Sequence, residues 1–252
     1  GLAHTLDRWY GVKSYPSGLG YDPAVYYPRA DVQRERAIAF VFQPEKPRRA
    51  PDMALNALRR VKQRLPSTTV YIIGSDARPD VDFDYEHVGL VDGLHRLADL
   101  YSRCAVGLAL SLSNPSRVPV EMMACGCVPV DVYRYNNMFD YPTGTVSLAY
   151  QDSESLARAI LALLSDPEEL AARQARSRAF VAPRTLDWEI DAIVNTVIRQ
   201  LAGLDMPTDR PEALYLDDPV IAELDTHPAR LRFCERQREL AQVASAANCL
   251  LA

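Results

Sequence analysis

No uninterrupted apolar run in the sequence approaches the roughly 20 residues that a membrane-spanning helix needs. The first residues also lack the basic-then-apolar order of a secretory signal. The expected location is therefore the cytoplasm, free in solution or peripheral to a membrane. Histidine is scarce, and His4, His87, His95 and His227 are scattered without metal-ligand spacing. Cysteine is sparse and odd in number, with Cys104, Cys125, Cys127, Cys234 and Cys249 mostly among apolar residues, where a free thiol behaves as a small hydrophobe. The Cys125-Gly126-Cys127 pair has no second pair and no neighbouring histidine, so neither a metal nor any other cofactor is expected. No basic stretch is interleaved with aromatics and the net charge is -5, which excludes a polyanion groove and, with it, nucleic acid as a partner. Ser111 and Ser113 have no histidine in a triad-like order, so serine hydrolysis gains no support.

What the sequence does contain is a repeated alternation. Short, mainly apolar runs at 38–42, 70–73, 105–110, 128–132 and 146–149 read as strands. Between them, 51–65, 94–101 and 121–125 place apolar residues near helical spacing. Strands that are apolar on both faces and alternate with helices predict an α/β protein with a parallel sheet covered on both faces. Such a sheet binds ligands outside the carboxyl ends of its strands, so the segments to inspect are 43–50, 74–84, 111–119 and 133–143. Helical stripes follow at 153–164, 167–180, 187–201 and 227–251. Residues 1–30, rich in Gly, Pro and Tyr, read as a connector. Residues 31–203 read as the main domain, and 204–252 as a Pro- and Asp-rich linker with extra C-terminal helix.

Two clusters carry chemistry. A loop entering a helix near Ser116 to Pro119 presents unpaired backbone N–H groups and the positive helix end, which suits a diphosphate. Glu121 lies about one turn further in, where its carboxylate can accept ribose hydroxyls; the alternative is that it only complements the helix start. Lys46, Arg48 and Arg49 follow the first strand, where a cation can meet phosphate, although charge runs are also common on solvated surfaces. Asp80, Asp82 and Asp84 form a D-x-D pattern, read here as a solvated acidic loop because a cation site needs converging ligands.

The stretch 97–105 (Leu-Ala-Asp-Leu-Tyr-Ser-Arg-Cys-Ala), Leu110 to Ser116, and 119–130 (Pro-Val-Glu-Met-Met-Ala-Cys-Gly-Cys-Val-Pro-Val) is similar to the donor-domain signature of GT-B-type glycosyltransferases. Upstream, Tyr21-Asp22 and Tyr27-Pro28 resemble the interdomain linker of that family, 42–49 its basic phosphate loop and 70–74 its second strand. The resemblance covers roughly residues 10–201 and implies the Rossmann-like C-terminal half of a GT-B fold, taking a nucleotide-diphosphate sugar and passing the sugar to a glycan or polysaccharide acceptor held by a separate N-terminal domain. It implies Arg48 and Glu121 as the catalytic residues, Arg48 stabilising the departing diphosphate and Glu121 holding the ribose. Donor contacts are implied for Gln43, Arg49, Gly74, Gly89, Leu90, Val91, Ser113, Asn114, Ser116 and Arg117. Ser113 stands where many retaining members carry a glutamate, and Gln43 where an arginine is common. Asn114-Pro115-Ser116 with Pro119 and Glu121-Met122 looks closer to bacterial rhamnosyltransferases, which implies a deoxysugar donor such as rhamnose. The same two departures leave open a non-catalytic module that binds a nucleotide or a protein.

Nucleotide binding is expected to be independent of divalent metal, because the cations near 46–49 and the helix end supply the positive charge. Calorimetry before and after EDTA treatment checks this; loss of binding that Mn2+ restores would return the acidic loop to the site.

Overall fold

The structure, a computed structural model, describes residues 2–113, 116–204, 212–222 and 228–249. In chain order, helix α1 (Leu2–Tyr10) precedes strand β1 (Glu35–Val41), helix α2 (Pro51–Arg64), β2 (Thr69–Ile73), β3 (Glu86–Gly89) and α3 (Leu94–Arg103). Then follow β4 (Cys104–Leu108), α4 (Arg117–Ala124), β5 (Val128–Val132), α5 (Asn137–Asp140) and β6 (Ser147–Ala149). Four helices close the order: α6 (Ser153–Ser165), α7 (Pro167–Val181), α8 (Leu186–Leu201) and α9 (Pro228–Cys249). The strands form one six-stranded sheet in the order β3-β2-β1-β4-β5-β6, every neighbouring pair parallel. This is the α/β, Rossmann-like architecture that the alternation predicts. Strand β3 escapes the sequence reading because it is a four-residue edge strand with only Gly89 buried, too short and too wet to form an apolar run.

Period-2 alternation divides β1 between two cores. Ile38 and Phe40 face α2 and α6, packing with Leu58, Val61, Leu156 and Ile160. Ala37, Ala39 and Val41 face the other way, toward Tyr101 of α3 and Met122 and Met123 of α4. The small residues on that side let α4 approach closely: a Cβ on Gly107 of β4 would stand 2.3 Å from the Met122 sulfur.

Helix α4 is only eight residues long because both ends are specified locally. Ser116 caps its start, its Oγ accepting from Val118 N at 3.4 Å. Gly126, at φ +80°, ends it by donating to Met123 O (3.0 Å), while Cys127 donates to Met122 O (2.9 Å), the paired bonds of a glycine-terminated helix.

The segments flanking the sheet are packed onto it. Tyr21, Val25 and Tyr26 are buried in the same core as α3 and α4. Tyr21 bridges to Thr185 in parallel, receiving Leu186 N on its carbonyl at 2.9 Å. On the far side, Val220 bridges to Ala149 at the β6 edge, Tyr215 is buried against Tyr133, and Arg230 of α9 pairs with Asp152 at 3.1 Å. Among the described residues no helix is long and apolar enough to cross a membrane.

Gly20 tests the attachment of the connector. A Cβ there would lie 2.3 Å from the Thr185 carbonyl oxygen, and a backbone atom cannot swing aside. Gly20→Ala is expected to lower stability by about 1–3 kcal/mol, the usual cost of overpacking, as measured by urea denaturation. A variant as stable as its parent would mean that residues 18–21 are not held against the start of α8.

Candidate functional site

Because β1 leads to β2 on one side and β4 is paired on its other side, the strand order reverses between β1 and β4. The loops leaving these two strands must diverge, which opens a crevice at their carboxyl ends. The loop after β1 carries Gln43 and the arginines; the loop after β4 carries Ser111 to Ser116.

The first loop is wound tightly. Lys46 N bonds Gln43 O (3.0 Å), a single 3-10 turn follows at Pro47–Arg49, and Ala50 sits in the left-handed region at φ +44° before α2 begins. A non-glycine residue there is strained and persists only where neighbours over-determine it. This winding separates the two arginines: Arg48 is exposed and Arg49 is buried, 8% accessible. The Arg49 guanidinium crosses the crevice floor, donating to Leu110 O (3.2 Å) and to Ser116 Oγ (3.1 Å), the cap of α4. Its Nε is buried without a partner, and burial together with neighbouring Arg48 lowers its pKa. Arg48 contributes its carbonyl, which accepts from Leu112 N at 2.8 Å. The Gln43 amide oxygen is also buried without a partner.

At the start of α4, Ser116 is the cap and Arg117 the first helical residue. The Arg117 side chain is committed sideways: it grips both oxygens of Glu189 on α8 (2.8 and 3.0 Å) and the Gly20 carbonyl (2.6 Å), while Gly20 N donates to the same carboxylate at 2.7 Å. What Arg117 offers the crevice is therefore its backbone N–H and not its charge. Glu121 is the fifth helical residue, past the first turn, where complementing the helix start has faded. Its carboxylate is half-buried and accepts no hydrogen bond from the described residues. Burial raises its pKa, with Arg117 opposing the shift. Ser113, at the mouth, presents its carbonyl to Asn136 Nδ2 at 2.8 Å. Asn114 lies outside the described residues.

The β2 and β3 ends form a separate rim. Gly74 and Gly89 both take positive φ, and Gly74 N bonds Gly89 O at 2.9 Å. A Cβ on Gly89 would meet Asp76 Oδ1 at 2.8 Å, the oxygen that accepts Leu90 N (2.9 Å). Leu90 is exposed and Val91 packs partly on the core. These four residues thus gather at one edge of the crevice, and the arginines with α4 at another. The D-x-D acids stay apart: Asp80 and Asp84 are exposed, and Asp82 pairs with Arg59 at 2.5 Å. Among the described residues no three His, Cys, Asp or Glu side chains converge as a metal site.

Sequence reasoning missed two acids beneath the crevice. Asp131, in β5, is fully buried and its Oδ1 accepts from Val132 N (2.8 Å) and Ser111 N (3.3 Å). Burial pushes its pKa up to about 7 against the opposing pull of those N–H groups and of Arg49. Asp140, on α5, is likewise pushed up by burial, to about 6, and its Oδ2 has no partner. An aspartate inside an otherwise apolar strand run was the available signal.

A family model described as WsaF, C-terminal domain, matches residues 36–161. An O-antigen biosynthesis protein, RfbC of Myxococcus xanthus, is 30% identical over 217 residues, 80% of this chain and 16% of that protein. The chain thus spans about a sixth of the length of that curated relative. Among solved structures, Anabaena Alr3699/HepE in complex with UDP-glucose superposes with a TM-score of 0.58 at 17% identity, over 73% of this chain and 56% of that one. The pneumococcal O-GlcNAc transferase GtfA, in complex with UDP and GlcNAc, gives 0.57 at 15% identity, over 79% and 43%. The C-terminal domain of a group 1 glycosyl transferase, LpcC of Francisella tularensis, gives 0.54 at 14% identity, over 66% of this chain and all of that domain. At these identities the likeness to solved structures shows the GT-B C-terminal fold.

The contrast between the arginines is testable. Arg49→Ala strands two buried acceptors, Leu110 O and Ser116 Oγ, and should cost about 1–3 kcal/mol in a denaturant melt. Arg48→Ala, at an exposed position, should stay within about 0.5 kcal/mol. Equal losses would mean that the guanidinium bridge does not organise the loop.

Proposed function

The chain belongs to the WsaF C-terminal domain family, and from that premise we propose that it is the donor-binding half of a glycosyltransferase acting in glycan or polysaccharide synthesis. One observation carries the proposal. A half-buried carboxylate, Glu121, stands without a hydrogen-bond partner among the described residues, one turn inside the helix whose cap is held by a buried arginine, at the switch point of a parallel sheet. A nucleoside diphosphate has the complementary pair of groups: phosphates for the helix start and ribose hydroxyls for the carboxylate. Two of the solved neighbours, one in complex with UDP-glucose and the other with UDP and GlcNAc, support the same class of ligand.

On this reading the donor phosphates lie between the α4 start and the loop after β1. The backbone N–H groups of Ser116 and Arg117 and the side chain of Arg48 face them, and Arg49 holds the floor. As the bond from the sugar carbon to the phosphate oxygen breaks, positive charge builds on the sugar ring and negative charge on the departing oxygen. A preorganised cation and helix end stabilise that charge without rearranging. The rim of Gly74, Gly89, Leu90 and Val91 lets the base approach the backbone, because neither glycine carries a side chain. No metal or other cofactor is required. The acceptor approaches from another part of the parent protein; this chain spans 56% and 43% of the two UDP-bound structures compared above. A deoxysugar such as rhamnose is the proposed donor sugar, and the cytoplasmic side, free or membrane-peripheral, the proposed location.

A second reading is favoured by Gln43, whose buried amide oxygen lacks a partner where the family commonly has an arginine, and by Ser113 in place of a glutamate. In that reading the domain binds nucleotide without transferring sugar. Transfer by the full-length protein, or its absence with nucleotide binding intact, separates the two.

Glu121→Gln keeps the shape of the side chain and removes its charge. If the carboxylate holds the ribose, the substitution should cost on the order of 1.5–3 kcal/mol, about 10- to 150-fold in affinity, with little change in melting temperature. The measurement is calorimetry with both UDP and dTDP, because only the 3′-hydroxyl reports on a deoxyribose. Parental affinity for both nucleotides together with a lowered melting temperature would remove Glu121 from the ribose and leave it a structural residue.

A further inference from the structure

The buried acids beneath the crevice have no part in the donor contacts above, yet one of them is built into the loop that forms the site. The described residues of the loop after β4, Leu110 to Ser113 and Ser116, are anchored from several sides. Arg49 holds Leu110 O and Ser116 Oγ, Arg48 O holds Leu112 N, Asn136 holds Ser113 O, and Asp131 holds Ser111 N. Asp131 is the carboxylate among these described anchors. It is 2% accessible, lies one residue from the carboxyl end of β5, and makes no ion pair within contact distance among the described residues. Its charge is answered only by two backbone N–H groups and, at longer range, by Arg49.

We propose that Asp131 is a positioning residue of the donor site that takes up a proton when an anionic sugar-nucleotide diphosphate settles between Ser111 and the start of α4. The proposal rests on the donor-site reading above.

The physical argument has two parts with the same sign. A diphosphate brings negative charge to a loop that Asp131 touches, and in a region of low dielectric a second negative charge disfavours ionisation of the first. Attraction of Arg48 and Arg49 toward the phosphates also weakens the cation that favours the ionised acid. Both effects move the equilibrium toward the neutral carboxyl, and the proton comes from solvent. The neutral group keeps a carbonyl oxygen to accept from Ser111 N, so the loop stays anchored after protonation. The groups facing Asp131 are Arg49 from the loop after β1, Asp140 of α5, and Tyr141, which is fully buried with its pKa well above the usual tyrosine value. Arg49 opposes protonation and Asp140 favours it; Tyr141 stays neutral and changes nothing between pH 6 and 8. Since the free acid is pushed up to about 7, it is available to change state in that range. Affinity for an anionic donor is then highest below pH 7 and falls as pH rises through 8.

The probes are UDP-glucose and dTDP-rhamnose, whose phosphates are diesters and do not themselves titrate near neutrality. Calorimetry on the full-length protein in two buffers of different ionisation enthalpy counts the protons exchanged. For a one-unit upward move on binding, about half a proton is taken up near pH 7.5 and affinity weakens about fivefold from pH 6 to 8. Asp131→Asn should lose the uptake and lose the fivefold slope, whereas Asp140→Asn should keep both, displaced to lower pH because the charge that favours protonation of Asp131 is gone. Only the difference between the parent and the residue 131 variants reports on the proposal. Asp131→Thr, with a β-branched side chain suited to a strand and an oxygen for Ser111 N, replaces the asparagine variant if that one does not fold. Unchanged proton uptake in the 131 variants overturns the proposal while leaving the donor site standing. Failure of both probes to bind the parent protein overturns the donor-site reading, and this inference falls with it.

Discussion

The arrangement of the crevice depends on one buried guanidinium. Arg49 leaves the turn after β1, crosses to the loop after β4, and donates to a carbonyl and to the hydroxyl that caps α4. Parallel strands at a switch point diverge at their carboxyl ends, so nothing in the sheet ladder itself keeps these two loops in register. A rigid, planar, permanently charged fork with donors on separate nitrogens can tie two acceptors at once; a lysine, a point charge on a flexible stem, could not fix both directions. The desolvation that this costs is offset by the two acceptors and by the buried negative charge of Asp131 nearby. The strained Ala50 and the 3-10 turn before it belong to the same constraint, because they aim residue 49 inward and residue 48 outward.

A second constraint acts on α4 from residues distant in sequence. The helix is short, sharply started at Ser116 and sharply ended at Gly126, so its orientation is set by what holds its first turn. Arg117 is tied to Glu189 of α8 and to Gly20 of the connector. Both the segment that leads into the sheet and the helix that leads away from it therefore bear on the position of the α4 start. On the donor-site reading, this is where the diphosphate would sit, and a change in the packing of either segment would reach it through a single charge-paired side chain.

The electrostatics are layered. Cationic groups and a helix start line the crevice, with two carboxyls of raised pKa beneath them in β5 and α5. Glu121 stands apart from both layers, half-buried against α3 and the connector, its desolvation only partly relieved by Arg117. A site with charges of both signs held at fixed depth can meet phosphate and ribose separately, which a surface cluster of arginines could not do.

The order of strands and helices, the parallel sheet and the segments bounding its crevice were legible in the sequence, because apolar runs and helical spacing are local consequences of which faces must be buried. The position of Glu121 one turn inside a helix was legible for the same reason: Ser116 before an apolar helical stretch and Gly126 after it mark both ends. The short edge strand β3 was not, since an edge strand buries too little to leave a pattern. Which of two adjacent arginines turns inward was also beyond the sequence; Arg48 matches the family spacing, while Arg49 is the residue the turn buries. The packing of residues 18–26 and 212–222 against the sheet looked like connector and linker because those contacts are made by isolated bridges and single tyrosines without periodicity. Asp131 is the clearest instance of what tertiary structure alone decided. In the sequence it is one acid in an apolar run, and only the pairing of β4 with β5 brings it beneath Ser111, where burial and a neighbouring guanidinium, both set by residues far along the chain, determine its charge.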